Sequence, residues 1–132
     1  KVQPTDEEAP LNQLDTYSAS KIAVDVATRS YAHNYGLPTA VIRNTNCYGP
    51  YDPHGDHIVP GTIQAVLNGQ RPVIRGRGTT KKSYLFVDDV VAAYLMVASW
   101  LATGGEKGHA FNVSTTPTSV RELVGEILGV MQ

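Results

Sequence analysis

YSASKIAVDVATRSYAHNYGLPTAVIR, residues 17–43, reads as a helix that runs into a buried strand. Ile22, Val26 and Ser30 recur every fourth residue, with Ala23, Ala27 and Tyr31 beside them, which predicts one packing stripe along a helix over 17–35. Asp15 or Thr16 can cap its start, and Gly36 followed by Pro38 closes it in the usual order. Thr39-Ala40-Val41-Ile42-Arg43 then predicts a short buried strand.

The same alternation continues along the chain. Asn44 to His57, with Gly49, Pro50, Pro53 and Gly55, predicts a loop. A helix is expected from Pro60 to Asn68, an extended piece at Pro72-Val73-Ile74, a turn at Gly76-Arg77-Gly78 and an extended piece from Tyr84 to Val87. Asp88 is expected to cap a buried helix from Asp89 to Leu101, and His109 to Val113 to form a strand. Ser119-Val120-Arg121-Glu122 has the spacing of a capping box for a last helix. Residues 1–16, with Pro4 and Pro10, read as a polar loop. Helices alternating with short strands argue a single α/β domain over 1–132 built from crossover units.

Composition narrows the function classes. Among the 132 residues 42% are hydrophobic and 17% charged, a globular balance, and a net charge of −1 gives no global pull toward nucleic acid or an acidic membrane. Val90 to Ala102 is too short to span a bilayer. Cys47 is the only cysteine, so no internal disulfide can form, which fits a reducing, cytoplasmic setting. The chain opens at Lys1 without an initiator methionine, as a fragment or processed product would. Asn112-Val113-Ser114 matches a glycosylation acceptor but falls in an expected strand.

The sharpest chemistry is Tyr17 and Lys21. Four residues is about one helical turn, so both side chains share a face. A free phenol ionises only near pH ~10, and a nearby ammonium favours phenolate, which suits a general base acting on an alcohol. A plain helix-surface pair would show the same spacing. A second feature is Arg71, Arg75, Arg77, Lys81 and Lys82, five of the eleven Lys/Arg in twelve residues without an acid. These could grip a diphosphate or form a solvated basic hairpin; only Tyr84 is near enough to stack on a nucleic-acid base. Asp52, His54, Asp56 and His57 crowd one loop without zinc-site spacing, so no metal is expected.

In order along the chain stand Thr16-Tyr17-Ser18-Ala19-Ser20-Lys21, Tyr35-Gly36-Leu37-Pro38 before a strand ending in Arg43, Asn46-Cys47-Tyr48-Gly49-Pro50, Ile58-Val59-Pro60, Arg71-Pro72-Val73-Ile74, Tyr84-Leu85-Phe86-Val87-Asp88-Asp89 and Phe111-Asn112-Val113. The ordered set resembles the C-terminal portion of extended short-chain dehydrogenases, the NAD-dependent epimerase/dehydratase family. His57 to Ile63 and Arg71 to Arg75 are most similar to nucleotide-sugar dehydratases of the CDP-glucose 4,6-dehydratase type, and Lys1-Val2 resembles a stretch that precedes the tyrosine there.

The resemblance implies the C-terminal half of a Rossmann-like NAD-binding fold (1–50, with the catalytic helix and strand) and a small substrate-binding part (51–132). It implies a nucleotide-sugar 4,6-dehydratase, with an epimerase of the same family as the alternative and a truncated, non-catalytic binding or assembly module as a third reading. Tyr17 would take the 4-hydroxyl proton of the sugar, and Lys21 would hold the nicotinamide ribose. Arg43 would lie with the cofactor. Asn46, Ile58, Val59, Arg75, Arg77 and Lys82 would meet a CDP- or dTDP-hexose, Lys82 standing where the family has an arginine. The helix over 17–35 resembles the family's dimer helix, so a homodimer is expected. The Gly-rich turn that such folds place against the NAD pyrophosphate has no counterpart in this sequence, because Gly76-Arg77-Gly78 lacks the strand–turn–helix setting. Tight NAD binding by these residues alone is therefore not expected.

Overall fold

The computed structural model describes residues 5–12 and 14–131; Lys1-Val2 lies outside them. The chain is α/β. It groups into two compact units, one of Lys1–Asn44 with Val90–Val113, the other of Thr45–Asp89 with Ser114–Gln132. A single division near residue 50 was expected, but the chain passes between the units three times. It does so because the strand at 41–44 takes its parallel partner from residues 110–113, and parallel neighbours need a long crossover.

In the first unit, α1 spans Thr16–Tyr35. The Asp15 carboxylate accepts the Ser18 N–H at 2.8 Å, and that bond holds the Asp15 carboxyl below its ordinary range. Gly36 ends the helix at φ 65, a left-handed turn that glycine adopts without a Cβ clash. The inward face differs from the expected one. Ser18, Ile22, Asp25, Thr28 and Ala32 point in, whereas Ala23, Val26, Ala27, Ser30 and Tyr31 are exposed. Asp25 can sit inside because Arg43 pairs with it, and Thr28 can face in because its hydroxyl donates to Val24 O at 2.8 Å.

Strand β1, Val41–Asn44, pairs in parallel with β5, Ala110–Val113, in the register Val41↔Ala110 to Asn44↔Val113. Residues 5–7 are stitched to this pair: the Asn112 N–H donates to Glu7 Oε1 at 2.7 Å and its side-chain amide to Thr5 O at 2.8 Å. The Asn112 amide is thus part of the fold.

Helix α3, Val87–Ala102, starts at Val87, so Asp88 and Asp89 lie inside its first turn, where their charge suits the positive end of the helix dipole. It was expected to be buried. Instead Val90, Ala93, Val97 and Leu101 form one half-buried stripe, while Val91, Tyr94, Leu95 and Met96 are exposed. Trp100 joins it to β5, edge-on to Phe111 at 5.2 Å and His109 at 6.0 Å.

In the second unit, β2, Asn46–Tyr48, pairs in parallel with β4, Tyr84–Phe86. The short antiparallel pair β3, Lys81–Lys82, and β6, Thr118–Ser119, lies in the same unit. Helix α2 covers Ile58–Leu67, two residues earlier than Pro60 suggested. Proline is tolerated inside a first turn because those N–H groups have no helical partner. Helix α4, Val120–Val130, opens with the expected capping box: Ser119 Oγ accepts the Glu122 N–H, and Glu122 accepts the Ser119 N–H at 2.8 Å. Among the described residues the buried apolar side chains are Ala32 and Ala110 in the first unit and Leu85 and Val124 in the second.

Candidate functional site

In the first unit the capped start of α1 presents Tyr17 and Lys21 on one exposed face. The Lys21 ammonium lies 5.6 Å from the centroid of the Tyr17 ring. Tyr17 is 71% exposed, so its phenol is open to a reactant. No ion pair among the described residues uses Lys21, so its charge is not cancelled by a carboxylate. The Ser20 hydroxyl donates back to Tyr17 O at 2.7 Å, which bonds a carbonyl of this first turn.

Arg43 stands at the end of β1 with three of its contacts accounted for. Nε donates to Asp25 Oδ2 at 2.7 Å, Nη2 to Asp25 Oδ1 at 3.2 Å and Nη1 to Glu7 O at 2.7 Å. The fork on Asp25 raises the Arg43 pKa further above its ordinary value. Asp25 was the residue the sequence reading missed. The available signal was a lone acid on the Ile22 face, three residues on, facing a strand that ends in arginine.

The second unit holds the residues expected to meet the nucleotide. Asn46, opposite Tyr84 in the β2–β4 ladder, donates its side-chain amide to Ser83 O at 3.4 Å. Ile58 and Val59 form the first turn of α2, whose N-cap, His57, makes no side-chain cap bond and which has no acid in its first turn. Arg75, Arg77 and Lys82 are exposed, and no ion pair among the described residues uses them. Lys82 lies on β3. Arg77 sits in the Gly76–Gly78 turn, fixed from behind by Arg121, which donates to Arg77 O at 3.2 Å. Burial pushes the Tyr84 phenol up, so it stays neutral.

The loop before α2 is more ordered than a solvated connection. Asp52 accepts from the His54 N–H at 3.0 Å through Oδ1, and its Oδ2 lies 2.8 Å from His57 Nδ1. The hydrogen bond from Asp52, with the charges of Asp52 and Asp56, raises the His57 pKa; the same bond lowers that of Asp52. The raised histidine stabilises the loop fully below its unfolded value, about 6.5, and loses that contribution as pH rises through the folded one. The lowered carboxylate contributes above its unfolded value, about 3.9, and loses it as pH falls. In an NMR titration the His57 ring is therefore expected to protonate at a higher pH than a free imidazole, and at a lower pH in Asp52→Asn than in the wild type. Equal midpoints in the two proteins would refute the pair. Among the described residues no three His, Cys, Asp or Glu come together as a metal site, and no helix is long and apolar enough to cross a membrane.

A family model for the NAD dependent epimerase/dehydratase family matches residues 1–114. A UDP-glucose 4-epimerase of Mycolicibacterium smegmatis is 40% identical over 131 residues, 97% of this chain and 41% of that protein. A dTDP-D-glucose 4,6-dehydratase of Dictyostelium discoideum is 33% identical over 113 residues, 86% of this chain and 25% of that protein. Among solved structures, the dTDP-glucose 4,6-dehydratase of Bacillus anthracis in complex with NAD superposes with a TM-score of 0.86 at 27% identity, over 99% of this chain and 41% of that one. The UDP-glucose 4-epimerase of Thermotoga maritima with UDP-glucose gives 0.85 at 31%, over 98% and 41%. These neighbours support a Rossmann-like α/β fold, and the chain spans at most about 40% of the length of each of these relatives. The chain belongs to the NAD dependent epimerase/dehydratase family.

Proposed function

We propose that this chain serves the NAD-dependent oxidation of a nucleotide-hexose at its C4 hydroxyl, leading to 4,6-dehydration. The observation that carries the reading is the exposed Tyr17 phenol with the unpaired Lys21 ammonium on the same face of α1. Tyr17 accepts the hydroxyl proton, with the Lys21 ammonium 5.6 Å from the centroid of its ring. NAD, when bound, supplies the hydride acceptor. Tyr17 and Lys21 fit the ribose end of that cofactor. What Arg43 offers it is confined to donors not already given to Asp25 and Glu7. The one glycine-rich turn in the described second unit, at residues 76–78, leads into β3 and not into a helix, so it does not fit the pyrophosphate.

The second unit's share is the nucleotide diphosphate. Arg75, Arg77 and Lys82 supply unpaired cations, Asn46 a carboxamide, and the uncapped start of α2 the backbone N–H groups of Ile58 and Val59. A second reading, C4 epimerisation, is favoured by the 40% identity to a UDP-glucose 4-epimerase. Both reactions begin with the same deprotonation and differ in product: a 4-keto-6-deoxy sugar or the C4 epimer. The exposed Val24, Val26, Tyr31 and Tyr35 of α1 support association of two copies along that helix.

Calorimetric titration with CDP-, UDP- and dTDP-glucose separately tests the binding half and ranks the bases. We expect salt-sensitive binding, weakened about tenfold or more in Arg77→Gln/Lys82→Gln, since charge-assisted hydrogen bonds contribute about 1.5–3 kcal/mol. Unchanged affinity in that double variant would remove these cations from the site.

A further inference from the structure

Asp25 is the only acid in α1. It lies one helical turn beyond Lys21, so Tyr17, Lys21 and Asp25 follow one another at steps of four residues along one side of the helix. Side chains at that spacing are neighbours, about 5–6 Å apart at Cβ, and an ammonium and a carboxylate there attract. Here they do not pair. The Lys21 ammonium lies over the Tyr17 ring, 5.6 Å from its centroid, and no ion pair among the described residues uses it. Asp25 is buried, and Arg43 takes both of its carboxylate oxygens: Nε donates to Oδ2 at 2.7 Å and Nη2 to Oδ1 at 3.2 Å. Arg29, one turn further along α1, makes no ion pair with Asp25 either. Asp15, the acid just before α1, is committed to the Ser18 N–H.

We propose that Arg43 is a positioning residue for Tyr17 and Lys21: by holding both oxygens of Asp25 it keeps the one acid of α1 off Lys21, whose ammonium stays over the Tyr17 ring. The inference rests on the roles proposed above for Tyr17 and Lys21. A guanidinium suits the task because its planar fork meets two carboxylate oxygens at once. A single point of attachment would leave one oxygen to the helix neighbours. The remaining arm donates to Glu7 O at 2.7 Å, so the fork cannot turn away from Asp25 without losing that bond. Remove Arg43 and the carboxylate is left buried and unpaired, a state that is strongly disfavoured. The cations nearest to it along its own helix are Lys21 and Arg29. Lys21 then turns to Asp25 and leaves Tyr17.

The test follows the Lys21 side chain itself by NMR, in the full chain with isotope-labelled lysine, the signal being assigned by its loss in Lys21→Met. The ring current of Tyr17 should shift the Lys21 methylene next to the ammonium in the wild type. Arg43→Met should move that signal to the position of a lysine away from any ring, with no ligand present. Asp25→Leu/Arg43→Met should return it, because no acid then draws the ammonium away. Turnover should follow: about tenfold lower in Arg43→Met with nucleotide-sugar KM little changed, a part of the hundredfold or more that a positioned base contributes, and restored in the double variant. Val24→Glu makes the same test with the Asp25–Arg43 pair intact. Val24 is exposed and three residues from Lys21, so a glutamate there is an uncommitted acid within its reach. Val24→Glu should move the Lys21 signal and lower turnover relative to Val24→Gln, which removes the same apolar side chain without adding charge. An unmoved Lys21 signal in Arg43→Met overturns the proposal, the released carboxylate having turned to Arg29 or to solvent. If Arg43→Met does not fold, an unmoved signal in Val24→Glu overturns it. Turnover that tracks the melting midpoint across the variants, with the signal fixed, overturns it in favour of a purely structural pair. A signal that moves and returns while turnover stays constant upholds the hold of Arg43 on the pair and removes Tyr17 and Lys21 as the reacting groups.

Discussion

Tyr17→Phe is expected to reduce turnover of a nucleotide-hexose by about a hundredfold to ten-thousandfold, the usual contribution of a positioned general base. The variant keeps the ring and removes only the hydroxyl. Because Tyr17 is 71% exposed and α1 is capped by Asp15, not by the phenol, its melting midpoint should match the wild type. Loss of activity without loss of stability separates a chemical role from a structural one. Lys21→Met should give a smaller loss of turnover at an unchanged melting midpoint, since no ion pair among the described residues uses Lys21. Both assays use the protein as its gene encodes it, with NAD and with UDP- or dTDP-glucose. Tyr17→Phe within threefold of wild type would leave the α1 pair as a surface contact.

The second large effect is on stability. The side chains of Arg43 and Asp25 are 16% and 7% exposed, with two hydrogen bonds between them. Arg43→Met removes the cation and leaves a buried carboxylate. Breaking a buried pair from one side costs about 3–5 kcal/mol; with Arg43 partly exposed, the lower end, about 3 kcal/mol, is expected in urea unfolding. The variant also frees Glu7 O, whose residue is tied to Asn112 of β5, so the N-terminal segment should lose proteolytic protection. Asp25→Leu/Arg43→Met should recover most of the loss, because an apolar pair leaves no uncompensated charge. Additive losses in that double-mutant cycle would show that the two side chains act independently.

This pair also shows where sequence reading stops. Helix α1 was legible to within a residue, since Asp15, Gly36 and Pro38 act locally. The Ser119–Glu122 capping box was legible for the same reason. The inward face of α1 was not, because periodicity ranks residues by their own polarity, and Asp25 is buried on account of a strand eighteen positions away. Strand β2 was read as loop: its three residues have no pattern of their own and are strands only because β4 lies alongside. The apolar helix α3 was expected to be buried, yet within its unit only the Val90–Leu101 stripe finds cover. Of the candidate site, the Tyr17–Lys21 face followed from spacing alone, and the exposed cations of residues 75–82 followed from composition. The Asp52–His57 bond depends on how the loop before α2 folds, which spacing does not encode.

The proton-transfer role of the α1 pair is tested most directly by a single turnover. Enzyme, NAD and dTDP- or UDP-glucose are mixed rapidly, and the absorbance of reduced cofactor is followed in wild type and in Tyr17→Phe. A burst in the wild type that is slowed at least a hundredfold in the variant, at equal nucleotide-sugar occupancy, is the expected result. A burst of equal rate in both proteins would mean that another group removes the proton, and the account built on the exposed face of α1 would be wrong.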